Sequence, residues 1–124
     1  MQQAVRKYLM ALEAGDADKA AALFTADGWV QSPFLGRVSV RDYVAKVAAA
    51  SSRSKLTVHD VLVSAEGHLR AVGYYLYDWW LNGSNVSFEC ADVFNFDPNT
   101  GRIASIVLVY DTHLIRGVVE KKYP

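Results

Sequence analysis

The sequence predicts a single α+β domain, with N-terminal helices packed in a curved, mainly antiparallel sheet. Three observations carry that expectation. Apolar residues recur at helical spacing through roughly the first fifty positions. From "SSRS" onward the period switches to alternation, the signature of half-buried strands. The 124 residues suffice for one core and are too few for two, and helices followed by antiparallel strands are the order of an α+β fold.

Val5, Tyr8, Leu9 and Leu12 fall on one face of a first helix, which Gly15 stops. Asp16 can cap a second, shorter helix burying Ala20, Leu23 and Phe24. "TADG" breaks that pattern, and "WVQSPF" reads as a short strand that Pro33 keeps at a sheet edge. Ser39 and Asp42 form an S-x-x-D capping pattern before a third helix with Val40, Tyr43, Val44 and Val47 on one face. Strands are expected at about 55–64, 68–81, 84–96 and 102–112. Asn82-Gly83 is a two-residue hairpin signal, and "DPNTG" marks the following turn.

Composition narrows the function classes. An apolar fraction of 52% with 12% aromatics belongs to a folded globule. Thirteen basic residues balance thirteen acidic ones, so nothing points to nucleic acid or a membrane surface. A hydrophobic small molecule is the expected partner. Cys90 is the only cysteine, which excludes an intramolecular disulfide and leaves it a small core residue. No secretory h-region opens the chain and no apolar run approaches the ~20 residues of a membrane span, so a cytoplasmic location is expected.

"FECADVFNF" holds the main puzzle. Phe88, Cys90, Phe94 and Phe96 make one apolar strand face, and the remaining residue on that face is Asp92. Burying a carboxylate is costly unless it is hydrogen-bonded, paired or protonated. If the Asn82-Gly83 hairpin pairs Leu81 with Ser84, then Trp79 faces Val86, Tyr77 faces Phe88, Tyr75 faces Cys90 and Gly73 faces Asp92. Tyr75, Tyr77, Trp79, Phe88 and Phe94 then surround the acid, and the residue opposite it has no side chain. This reads as a cavity wall with a polar group in its floor. The opposite face carries Tyr74, Leu76, Asp78, Trp80, Ala91 and Val93 and is too apolar to meet only water, which predicts a homodimer.

"VRKYLMALEAGDADKAAALFTADG", the "SPF-x-G" strand and the closing "GRIASIVLVYDTHLIRG" resemble the SnoaL-like, nuclear-transport-factor-2-like (cystatin-like, or cone-fold) domains. The resemblance covers nearly the whole chain and implies one domain over 1–124 without a cofactor. It also implies a comparison with ketosteroid isomerases, whose oxyanion hole pairs a first-helix tyrosine with a protonated aspartic acid on a late strand. Tyr8 and Asp92 match those two positions. In the isomerases an apolar site keeps that carboxylic acid neutral near pH 7. Their proton acceptor matches Ser32 here, a poor general base. Limonene epoxide hydrolase carries a last-strand aspartate where this chain has Leu108. Pocket residues implied alongside the donors are Ser32, Val58, Tyr75, Tyr77, Trp79, Phe88, Phe94, Leu108 and Tyr110.

Several alternatives stay open. Asp92 is either a ligand-contacting donor or a structural acid satisfied by a buried tyrosine or water. Tyr8 is either its partner or a plain core residue. If the "DPNTG" turn pairs Asp97 with Gly101, Ile106, Leu108 and Tyr110 face the cavity and Asp111 points away. If Asp97 pairs with Arg102, that face inverts. His59, His68 and His113 have no metal-ligand spacing, and phosphate-cradling glycine loops and nucleophile elbows are missing. Two functions remain: a cofactor-free isomerase or cyclase acting on a hydrophobic carbonyl compound, or a non-catalytic ligand-binding or dimerisation domain.

Overall fold

The computed structural model describes residues 1–51, 53–81 and 84–113. Helix α1 (Gln2–Ala14) buries Val5, Tyr8, Leu9, Ala11 and Leu12. It ends at Gly15, whose positive φ of 68° turns the backbone so that Gly15 N donates to Leu12 O and Asp16 N to Ala11 O. The Asp16 carboxylate then caps α2 (Ala17–Ala21) by accepting from Lys19 N at 3.0 Å.

Helix α2 stops before Phe24, which instead opens strand β1 (Phe24–Ser32). "TADG" is thus an irregular part of a strand rather than a break before one. The cause is local: Gly28 lies against the Phe24 ring, where a Cβ would sit 2.6 Å from Phe24 Cδ2. The register of β1 against its parallel neighbour shifts between Phe24 and Trp29, the stretch that holds that contact. Pro33 sits in the turn after β1, not on an edge strand. The chain reverses there into β2 (Gly36–Ser39), a short strand that the sequence pattern did not announce and that covers β1 itself. Helix α3 (Val40–Ala50) begins with Ser39 Oγ accepting from Asp42 N and buries Val40, Tyr43, Val44 and Val47.

Strands β3 (Arg53–Val63), β4 (Arg70–Leu81), β5 (Ser84–Phe96) and β6 (Ile103–Val109) complete a curved six-stranded sheet in the order β2-β1-β6-β5-β4-β3. Among the described residues only the β1–β6 pair is parallel. The β4–β5 ladder runs without a break from Leu81–Ser84 to Gly73–Asp92 and on to Arg70–Asn95. The Asn82-Gly83 turn itself lies outside the described residues.

The last turn resolves in an unexpected way. Asp97 N donates to Arg102 O and Gly101 N to Asp97 O, both at 2.8 Å, and Phe96 pairs with Ile103. That start belongs to the register that would bring Asp111 inward. A bulge at Ala104 then shifts the ladder, so that Phe94 meets Ile106 and Asp92 meets Leu108. The extra residue restores the inward facing of Ile106 and Leu108, both buried, and leaves Asp111 exposed.

The helices cover one face of the sheet. Gly73, opposite Asp92, is not a gap in a cavity wall, because α1 fills it. A Cβ there would lie 3.0 Å from Val5 Cγ1, 3.4 Å from Phe94 Cε1 and 3.5 Å from Leu9 Cδ1. The glycine lets α1 pack closely on the sheet, where a Cβ would make the Val5 side chain shift. The outer face is uncovered, with Tyr74 and Val109 exposed and Leu76, Trp80, Ala91 and Val93 half-buried. Among the described residues no helix is long and apolar enough to cross a membrane.

Candidate functional site

Asp92 is fully buried. Alternation along β5 points it inward with Cys90 and Phe94, and the flush β4 partner places Tyr75 beside it. Tyr75 Oη donates to Asp92 Oδ2 at 2.8 Å. Asp92 Oδ1 and Tyr8 Oη, both buried, have no hydrogen-bond partner among the described residues. Tyr8 itself is wedged edge-on between Phe24 and Phe94, with ring centroids 5.8 and 5.6 Å away.

The electrostatics follow from this geometry. Loss of water pushes the Asp92 carboxyl up from 3.8 to about 7, while the Tyr75 hydrogen bond pulls it partly back. Burial drives the hydroxyls of Tyr8 and Tyr75 well above the usual tyrosine value, and the Asp92 charge adds to the rise. Tyr43 is raised by burial first and then by the neighbouring Tyr8, Tyr77, Asp92 and Tyr110. The phenols therefore stay neutral while the acid exchanges its proton near neutral pH.

Beside this acid, on the Tyr75 side, lies a pocket. Tyr75, Tyr77 and Trp79 come from β4, Phe88 from β5, and Leu108 and Tyr110 from β6 and its exit. Ser32, at the end of β1, also reaches it. Four further lining residues were not predicted: Phe34, Tyr43, Val47 and Cys90. Tyr43 and Val47 stand four apart on the apolar stripe of α3, so the sequence identified them as buried without saying which part of the sheet they meet. Phe34 belongs to the turn that replaced the expected edge strand. Cys90 was placed on the right face but read as core.

Of the other expected residues, Phe94 lies beneath the floor against Tyr8. Val58 lines a separate groove with Arg6, Leu9 and Glu13 on the far side of α1. Tyr8 and Asp92 do not line the pocket, because Tyr75 stands between it and the acid. The cavity measures only about 20 Å³, room for roughly one water molecule. The rings come close to closing on one another. Tyr77 and Phe88 stack at 5.4 Å and 7°, Phe88 and Tyr110 lie 5.1 Å apart, and Phe34 meets Tyr110 at 6.4 Å.

Most polar edges around the pocket are already engaged. Tyr77 Oη is 3.1 Å from Ser54 Oγ, and Trp79 Nε1 donates to Ser51 Oγ. Ser32 Oγ accepts from the backbone N–H groups of Phe34 and Leu35, each at 3.3 Å, so it shapes the turn after β1. His59 lies on the outer face, 2.9 Å from Glu89 and against the Tyr74 ring. His68 is exposed near Glu66, and Asp111 accepts from His113 N in an exposed turn. Among the described residues no three His, Cys, Asp or Glu side chains group closely enough to hold a metal ion.

A family profile described as a SnoaL-like domain matches residues 5–106. The chain belongs to the SnoaL-like family. Among solved structures, this SnoaL-like chain resembles a protein from Shewanella denitrificans provisionally described as a SnoaL-like polyketide cyclase, at 14% identity and TM-score 0.76 over 97% of this chain and 96% of that one. A Catenulispora acidiphila protein with a ketosteroid isomerase-like fold, solved in complex with trimethylamine, aligns at 14% identity and TM-score 0.78 over 90% and 88%. A limonene-epoxide-hydrolase-like epoxide hydrolase from M. tuberculosis aligns at 19% identity and TM-score 0.73 over 98% and 94%. These likenesses establish the shared fold. No curated protein matches the chain.

The raised Asp92 carboxyl makes stability depend on pH. Between about pH 4 and pH 7 the folded SnoaL-like domain holds a proton at Asp92 that the unfolded chain has released, so Asp92 makes stability fall as pH rises through that window. A rise from 3.8 to about 7 corresponds to on the order of 4 kcal/mol. Urea unfolding of the parent and Asp92→Asn should therefore give similar stabilities near pH 4 and a variant that is clearly more stable at pH 8. A difference that stays constant with pH would contradict this.

Proposed function

We propose that this SnoaL-like domain, taken over residues 1–124, binds a hydrophobic small molecule in the ring-lined pocket without turning it over. One observation carries the reading: seven of the eleven lining residues are aromatic, and none of the eleven is a carboxylate, histidine or lysine able to take a proton from a ligand. Ser32, at the position of the family's base, has its oxygen engaged by two backbone N–H groups. Leu108 stands where an epoxide hydrolase would carry an acid. The neighbour solved with trimethylamine supports small-molecule binding on this fold.

A second reading keeps catalysis. Tyr8 Oη and Asp92 Oδ1 are buried with no partner among the described residues, which in an apolar site is a costly condition for donors with no task. In this reading a carbonyl compound displaces Tyr75 and is held by Tyr8 and the neutral Asp92 as oxyanion donors. An isomerase or cyclase would draw several kcal/mol of barrier lowering from such an arrangement. The base would then come from the ligand or from water.

A fluorescence titration with planar phenols separates the two. Saturable quenching that Tyr8→Phe and Asp92→Asn both weaken by about tenfold supports the oxyanion reading. Binding indifferent to both substitutions supports the binding domain. No binding of any phenol counts against the oxyanion reading. We also propose a homodimer through the outer face of β4 and β5, on the strength of its half-buried apolar residues. Sedimentation should then give twice the 13.7 kDa chain mass, and a monomer at micromolar concentration would refute the interface.

A further inference from the structure

We infer that the pocket is an aromatic cage for a small quaternary ammonium ion, with the rings of Tyr43, Tyr75, Tyr77, Trp79, Phe88 and Tyr110 around the cation and Asp92 behind Tyr75 as its counter-charge. The inference rests on the ligand-binding reading above and names the ligand class.

The lining supplies ring faces and very little else. Tyr75, Tyr77 and Trp79 have their polar edges turned to Asp92, Ser54 and Ser51, so each contributes a π-surface to the space rather than a free donor. The rings do not form one stack. Tyr77 and Phe88 are nearly parallel, Tyr110 is tilted 39° from Phe88, and Trp79 stands at 61° to Tyr77, so the ring planes around the pocket differ in orientation. An aromatic face attracts a cation within about 6 Å of its centroid, Trp most strongly and Tyr and Phe less so. A quaternary ammonium ion has no N–H groups to satisfy, and this site has few acceptors to offer. A ligand that needs several hydrogen bonds would lose them on entry.

The charge pattern agrees. None of the lining residues is Lys, Arg or His. Behind the Tyr75 ring, the Asp92 carboxyl has, among the described residues, one hydrogen bond and one oxygen without a partner. A lone buried carboxylate is poorly solvated, so a cation one ring away stabilises its ionised form, and the ionised form holds the cation in turn. The groups facing Asp92 are Tyr8 from α1, Tyr43 from α3, Tyr75 from β4 and Cys90 on its own strand. Burial raises all four, leaving them neutral through the pH range in which the acid ionises. Half-buried Phe34, Phe88 and Tyr110 form the side open to solvent; the space between the rings is about 20 Å³, so a trimethylammonium head enters only if these three rings move aside.

The pH dependence runs opposite to that of oxyanion binding. A cation is favoured where Asp92 is ionised, above about pH 7, whereas a phenolate is favoured where it is protonated. Choline and its neutral isostere 3,3-dimethylbutan-1-ol compare charge at nearly constant shape. Calorimetric titration of the parent at pH 8.5 should show choline binding about tenfold or more tighter than the alcohol. That preference should shrink several-fold at pH 5.5 and in Asp92→Asn. If the alcohol binds as tightly as choline, the cage is refuted while the ligand-binding reading stands. A choline preference indifferent to both pH and Asp92→Asn refutes Asp92 as the counter-charge. If neither compound nor any phenol binds, both readings fall.

Discussion

The hydrogen bond from Tyr75 Oη to Asp92 Oδ2 joins two adjacent strands inside a space from which water has been removed. Most of the distinctive features of this domain can be traced to it. An acid at that depth tolerates only a few arrangements: protonation, a donor close by, or a nearby positive charge. Tyr75 supplies the donor, and the pleat delivers it because Tyr75 and Cys90 are paired directly across β4 and β5, one step from Asp92. Gly73, opposite the acid, lets α1 pack down onto the sheet, and that contact closes the site from above. A one-residue slip of β5 would turn Asp92 outward and expose Phe94, so the ladder and the buried acid depend on the same register.

The same bond also shapes the pocket. Held by Asp92, the Tyr75 hydroxyl points away from the space its ring lines, and Tyr77 and Trp79 repeat the arrangement with Ser54 and Ser51. What remains is an apolar, ring-walled volume with one ionisable group concealed behind the wall. Such a site selects ligands by shape and charge more than by hydrogen bonding. On the proposed binding reading this sets it apart from a proton-transfer site, which needs a base in contact with the reacting atom.

Much of the architecture was legible because short-range chemistry dictated it. Asn82-Gly83 implied a flush hairpin, and counting back from Leu81–Ser84 gives the Gly73–Asp92 pairing that the structure holds. Gly15, Asp16 and Ser39 marked helix ends through capping requirements that depend on only three or four neighbouring residues. The misreadings arise where packing or ladder geometry outweighs the residue-type signal. Thr25–Gly28 carries loop-forming residues, yet it is strand because Phe24 lies over Gly28. The "DPNTG" turn starts in one register and the Ala104 bulge transfers it to the other, an outcome no count of turn residues specifies. Alternation placed Asp92 inward, but only the fold shows that Tyr75 hydrogen-bonds it and Tyr8 does not. Tyr43 and Val47 could be recognised as buried, while their role in the pocket depends on where α3 lands.

The central claim is that Asp92 is a buried acid poised to exchange its proton near neutral pH. The most direct test is a pH titration of its side-chain carboxyl carbon by NMR, using Asp-labelled protein and assigning the resonance with Asp92→Asn. A buried acid of this kind should titrate with a midpoint near pH 7. A resonance already in its ionised position at pH 5 would contradict the claim, since that would mean the charge is solvated or paired in a way this site does not provide.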